Sequence, residues 1–274
     1  LDKNIEWHLL GNHLIANAKG LIFFGTFFSD IKASMLLKNG ESLLSKQIEE
    51  QFLDDGGHFE RSPMYHSIIL EDLLDIIELN STFPNKINKN LIKQIKLLTK
   101  IAVKWLILTC HPDKKISFFN DSTHEIASSP SEIINFYNKY NKQVSFKSFE
   151  AKKFHSLFLY SSKFYICENK NFKAIVDIGT PMPKYQPGHS HAETFSFELS
   201  LFRKRVFVNT GISEYQIGKR RLLERSTIAH NTTCIKNKNS SQIWSAFRVA
   251  RKAKILDISE EKNKEHAIIK MQHD

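Results

Sequence analysis

Apolar residues in the first half of the chain recur at helical spacing. Trp7, Leu10, Leu14, Ala18, Leu21 and Ile22 lie three or four residues apart and predict a first helix over about 7–22. Asn39-Gly40 reads as a break, after which Leu43, Leu44, Ile48 and Phe52 predict a second helix. Ser62-Pro63 supplies an N-cap and a proline at the first helical position, opening a third helix with Tyr65, Ile68, Ile69, Leu73 and Ile76. A fourth is expected over 91–108, stopped by His111-Pro112-Asp113, and a short fifth over 131–140. Beyond that the period falls to two. Strands are expected at 155–160, 163–168, 173–178, 194–201, 205–209, 229–235, 246–255 and 266–271, with Asn169-Lys170-Asn171 as a hairpin turn. Helices followed by strands predict a helical bundle or toroid, residues 1–145, joined to an antiparallel β-sandwich, residues 146–274. No low-complexity linker separates them, so the two parts are expected to pack together and to form a cleft.

Composition sharpens this only in places. Hydrophobic residues make up 41% of the 274, enough for real cores, and no run of 18 apolar residues suggests a membrane span. The chain opens Leu1-Asp2-Lys3 and closes in what reads as a strand cut off in mid-pattern. It is therefore expected to be a piece of a longer protein, and missing targeting signals carry no information. Cys110, Cys167 and Cys234 are odd in number and far apart, with no CxxC, so no disulfide framework or metal spacing is expected. Net charge is +10, unevenly spread. From Arg203 to Lys254 there are 13 Lys or Arg against Glu214 and Glu224, which leaves the remainder at −1. Such a segment suits a polyanion (nucleic acid, an acidic polysaccharide or an anionic membrane), a solvated basic surface being the plain alternative.

Four polar clusters stand out. Gly11-Asn12-His13 sits inside the predicted first helix, where Gly and Asn lower helix propensity. Residues 58–66 place His58, Arg61, Tyr65 and His66 at a helix start, where anions are favoured and Arg61 can hold a carboxylate. His189 and His191 stand two apart after Pro187-Gly188; on a strand entrance they would face one site together. The fourth is Tyr215, then Arg225 through Thr232 entering a predicted strand. There is no nucleophile elbow, phosphate loop or dinucleotide fingerprint. No close pair of catalytic carboxylates is evident, and Asp54-Asp55 reads as turn chemistry. A set of His, Tyr, Asn and Arg suits proton abstraction beside a carboxylate: one group neutralises it, a Tyr or His takes the α-proton, and a Tyr protonates the leaving oxygen. That reaction is β-elimination at a uronic-acid residue.

With these residues the chain resembles the heparinase II/III family of polysaccharide lyases. The resemblance runs through Trp7–His13, Asp55–His66, His111–Ser122, Gly188–Glu193 and Arg225–Thr232, some 230 residues in all. It implies the C-terminal portion of an α/α toroid followed by the N-terminal portion of a β-sandwich, incomplete at both ends. It implies a carbon–oxygen lyase acting on a glycosaminoglycan, alginate-like or exopolysaccharide chain in a bacterial periplasm or cell envelope. Residue by residue, Asn12 matches the group that neutralises the substrate carboxylate and His13 its neighbour. Tyr65 matches the catalytic acid or base and His189 the catalytic histidine, with Tyr215 a second, looser tyrosine. Arg61, His66 and Arg225 complete the expected site as substrate-binding residues. His191 and His230 match ligands of a structural metal, usually zinc, whose third ligand falls at Asn209 where the family carries Asp. A neutral amide lowers zinc affinity, so the sequence leaves open a bound or an absent ion. A non-catalytic relative that binds or remodels lipopolysaccharide or capsule is the alternative. No nucleic-acid-binding motif accompanies the basic segment, so no nucleic-acid partner is expected.

Overall fold

In a computed structural model that describes residues 2–274, helices come first and antiparallel sheets follow. The helices are α1 (Asn12–Phe27), α2 (Ile31–Gln51), α3 (Pro63–Thr82), α4 (Lys89–Thr109), α5 (Pro130–Tyr140) and, among the strands, α6 (Lys219–Glu224). The strands are β1 (His155–Leu159), β2 (Phe164–Glu168), β3 (Phe172–Asp177), β4 (Phe197–Leu201), β5 (Lys204–Phe207), β6 (Ile243–Ser245), β7 (Arg248–Val249), β8 (Ile255–Lys262) and β9 (Ala267–His273).

The helical part is held by one apolar core drawn from α1 to α5, with Ile15, Leu44, Leu70, Leu74, Val103 and Leu106 fully buried. Side-chain caps fix the helix starts. Asp30 accepts from Ala33 N–H, Ser62 from Tyr65 N–H, and Ser129 forms a capping box with Glu132. Two predicted boundaries move. The first helix begins at Asn12 rather than near Trp7, because Leu10 and Gly11 both take left-handed backbone (φ 59° and 56°). The second helix runs through Asn39-Gly40 without a break. A Cβ on Gly40 would stand 2.9 Å from both the Ala18 carbonyl and Leu21 Cβ, so this glycine lets α1 and α2 approach closely.

Strands β1 to β5 form one antiparallel meander in sequence order. Lys173, Ile175 and Asp177 on β3 alternate into the interior. The sheet packs on the helical part through Trp105 of α4, Phe119, Phe164, Ile166 and Ile175. Trp105 Nε1–H donates to Ser162 Oγ at 2.9 Å across the same junction. The remaining strands form two hairpins, β6–β7 and β8–β9. The strand expected at 229–235 is absent. A short 3-10 turn, Thr227–Ala229, occupies its start, and His230 Nδ1–H is drawn back to the Ser226 carbonyl. The strand expected at 246–255 is reduced to Arg248–Val249, while Ile255–Lys262 forms a strand not predicted.

Candidate active site

The site is organised around Asp121, in the loop between α4 and α5. Its carboxylate is fully buried and every lone-pair direction is used. His189 Nδ1 donates to Oδ2 at 2.8 Å, His191 Nε2 donates to Oδ1 at 2.7 Å, and Arg221 of α6 spans both oxygens at 2.5 and 2.7 Å. Burial pushes the Asp121 carboxyl up, but hydrogen bonds from His189, His191 and Arg221 together pull it well below the usual carboxylate range. Asp121 therefore stays ionised and fixes the tautomer of both histidines. His189 and His191 lie in a turn and loop before β4, not on a strand, so the alternation argument for their pairing does not hold. Asp121, reached from opposite sides, is what brings them together.

His189 presents its other face to a cavity of about 570 Å³ between the helical and β parts. Asn12 and His13 line the same cavity, with Glu60, Phe247 and Arg248. The Tyr65 ring lies 4.0 Å from the His189 ring, and its hydroxyl hydrogen-bonds that of Tyr215 at 3.0 Å. The structure thus places Asn12, His13 and His189 on one cleft, with Tyr65 and Tyr215 packed against His189. Burial, with Tyr215 alongside, pushes the Tyr65 hydroxyl well above its ordinary value, and burial pushes Tyr215 up to about 12. For His189, burial favours the neutral ring, yet Glu60 and Asp121 outweigh it and leave its pKa raised.

Asn12 sits at the first turn of α1 and donates through Nδ2 to both oxygens of Glu60 at 3.3 Å. Burial raises the Glu60 pKa. Gly11, just before, has a physical reason for its identity. A Cβ there would meet Glu60 Oε1 at 2.7 Å on a backbone that already has positive φ. The Gly-Asn pair is a helix start shaped to admit Glu60, not an interruption within a helix. His13 Nδ1 faces Glu6 at 3.3 Å.

Three residues expected to bind substrate do other work. Arg61 is 3% exposed and donates to the Ser162 carbonyl, the Thr180 carbonyl and Asp177 of β3, tying the start of α3 to the sheet. His66 is fully buried; its Nε2–H donates to the Ala102 carbonyl, its Nδ1 accepts from His58 N–H, and burial lowers its pKa to about 4. Arg225 is fully buried and donates to the carbonyls of Ser190 and Ser245. Arg221 likewise donates to the Ala246 carbonyl, so these two arginines hold the β6–β7 hairpin that brings Phe247 into the cleft. Two of the thirteen cations in the basic segment are therefore internal supports rather than surface charge.

Deeper in, three electron-pair donors converge. With Nε2–H committed to Asp121, His191 turns a bare Nδ1 toward His230 Nε2 at 3.0 Å, and His230 has committed its Nδ1–H to the Ser226 carbonyl. Glu193 Oε2 stands 3.4 Å from His230 Nε2, buried and without a hydrogen-bond partner. Facing lone pairs beside an orphaned carboxylate oxygen suit a shared cation. His191, Glu193 and His230 could hold a metal ion, with ligand atoms within 4.8 Å of one another. Asn209, the expected third ligand, is engaged elsewhere by its amide oxygen. Its Oδ1 accepts Asn231 N–H at 3.0 Å, and its Nδ2, a donor, is buried without a partner. Glu193 provides the carboxylate instead.

Glu60, Asp121, Glu193, Arg221 and Phe247 were missed as site residues in the sequence. Glu60 lay inside the 58–66 cluster, and Glu193 two residues beyond His191, so spacing could have flagged both. Arg221 is indistinguishable from surface charge in a basic run, and Asp121 gains meaning only from partners 68 to 100 residues away.

Helices leading into an antiparallel sheet, with a cleft lined by Asn12, His13 and His189 between them, make up the described architecture. The chain belongs to the heparinase II/III family: residues 2–148 match the family described as heparinase II/III N-terminus, and residues 151–274 that described as heparinase II/III-like, C-terminal. A heparin-sulfate lyase of Bacteroides stercoris is 22% identical over 255 residues, 87% of this chain and 38% of the relative. A heparin-sulfate lyase of Pedobacter heparinus is 26% identical over 247 residues, 84% of this chain and 36% of the relative. The crystal structure of a heparinase III superposes with a TM-score of 0.72 at 19% identity, covering 93% of this chain and 42% of that one. The chain thus spans less than half the length of the relatives it matches.

Proposed function

We propose that the protein carrying this chain is a lyase that cleaves a uronic-acid-containing acidic polysaccharide by β-elimination. The observation that carries this reading is the packing of Tyr65 and Tyr215 against His189, which lines a cleft together with Asn12 and His13. The relatives' name, heparin-sulfate lyase, makes a heparan-type chain the first candidate substrate.

The chemistry follows from the hydrogen-bond directions. Removing a proton beside a carboxylate is easier once that carboxylate is neutralised. Asn12, whose Nδ2 is held by Glu60 at 3.3 Å and which lines the cleft with His189, supplies an amide N–H that a uronate oxygen can accept. His189, its Nδ1–H held by Asp121, offers Nε2 to take the α-proton. As the carbon–oxygen bond to the next sugar breaks and the carbon–carbon double bond forms, Tyr65 passes its proton to the leaving oxygen. Its raised pKa keeps that proton in place until then. Tyr215, bonded to the Tyr65 hydroxyl, keeps it aimed.

We also infer that His191, Glu193 and His230 hold zinc. When bound, the ion supplies positive charge that offsets the buried carboxylate and locks the two imidazoles. Among the described residues no helix is long and apolar enough to cross a membrane. With bacterial relatives and a polysaccharide substrate, the reading places the protein in a bacterial cell envelope or periplasm.

The test is ultraviolet absorbance of the unsaturated uronate that elimination creates, with the full protein on heparan sulfate, chondroitin, hyaluronan and alginate. One polymer is expected to give a rising signal. Tyr65→Phe is expected to lower turnover by about 10²–10⁴ at an unchanged melting temperature. Near-normal turnover in that variant rules out Tyr65 as the acid.

A further inference from the structure

A second cavity, of about 470 Å³, shares no lining residue with the catalytic cleft. It opens where the end of α4, the connector around residues 146–152 and the β2–β3 hairpin meet. Its lining is aromatic, from Phe146, Phe149 and Phe172, and strongly cationic. Lys114, Lys147, Lys152, Lys170, Lys173 and Arg203 stand there against two carboxylates, Glu150 and Glu168. Arg203 faces Glu150 at 3.5 Å, and Lys114 lies over the Phe146 ring. Among the described residues Lys147, Lys152 and Lys170 have no ion-pair partner.

Exposed lysines on a hairpin are by themselves ordinary solvated charge. Lys173 is different. It projects from β3 into the interior, only 8% exposed, and its one carboxylate, Glu168, stands at 3.5 Å. An ammonium has three donors, and one loose contact leaves the others available to a group in the cavity that Lys173 lines. Burial accordingly pushes its pKa down. A buried cation with a single loose ion pair, sharing a concave site with aromatic rings, has the donors and faces of a sugar-acid pocket. Aromatic rings take the C–H face of a pyranose, and ammonium groups take its charged substituent.

We propose that this cavity is a second saccharide site, taking one anionic sugar residue, carboxylated or sulfated, of an acidic oligosaccharide. The proposal rests on the reading of the protein as acting on acidic polysaccharides. Such a site would tether a chain while another stretch of it occupies the cleft, raising its effective concentration there.

The test is calorimetric titration of the full protein, in the Tyr65→Phe background, with a heparan sulfate hexasaccharide. Two classes of site are expected. Lys147→Ala/Lys170→Ala should weaken one class by about tenfold or more and leave the other unchanged. Lys173→Gln, in protein that melts like its parent, should do the same. A desulfated hexasaccharide separates the sources: retained binding identifies a carboxylate, lost binding a sulfate. An isotherm unaltered in the double variant, or equal affinity for a neutral hexasaccharide, overturns the site. If no polymer is turned over by the unmodified protein yet the double variant loses binding, the lyase reading fails and this site stands.

Discussion

Asp121 shows how much one side chain can settle. Three side chains make four hydrogen bonds to its two oxygens, and the consequence is a chain of fixed proton positions through His191 to His230. That chain leaves bare nitrogens facing each other and the orphaned Glu193 oxygen, which is the basis for expecting zinc there. Removing zinc with a chelator should lower the melting temperature of the unmodified protein. Linkage at about a thousand times Kd is worth about 4 kcal/mol. Glu193→Gln, which keeps the shape and loses the charge, should blunt both the zinc content and the chelator response. Identical melting with and without chelator, together with no zinc by elemental analysis, would exclude the ion.

Among the elements, the helices and the meander were largely legible because burial imposes their periods directly. Ser62-Pro63 shows this well, with cap, proline and first apolar turn all local signals. Boundaries set by contacts across the fold were not legible. Gly40 looked like a break because its packing partners on α1 lie some twenty residues earlier. The 229–235 segment looked like a strand by composition, but His230 is drawn out of line by Ser226 and by the buried donors around it. Ile255–Lys262 was missed because its charged residues hide the alternation. The proposed catalytic set Asn12, Tyr65 and His189 is legible through family resemblance alone, whereas the internal contacts of Arg61 and Arg225 are not, because sequence does not show where a guanidinium points. Arg61 in particular acts between elements. Arg61→Ala leaves Asp177 buried without its cation, and is expected to cost about 3–5 kcal/mol. The urea midpoint of unfolding measures this; a change under 1 kcal/mol would show that the tie between α3 and β3 is dispensable.

For the molecule as a whole, pH should act through buried neutral histidines. His66 has its pKa lowered to about 4 from 6.5, and His58 is lowered well below its ordinary value, both by burial. Between those pH values the unfolded chain binds the proton that folded His66 refuses, so stability falls as pH drops from about 6.5 to 4 and the loss then levels off. His66 alone accounts for about 3 kcal/mol of that decline. Glu60 and Glu193, raised by burial, act in the opposite sense, so the comparison is between the unmodified protein and His66→Gln. The variant should show a flatter fall in urea midpoint over that range, and parallel curves would remove His66 from the account. One carboxylate, meanwhile, serves the cleft with one oxygen and the buried histidine pair with the other. Neither neighbourhood is then free to drift alone: across descendants of this sequence, substitutions at position 121, 189, 191 or 221 should be inherited as sets.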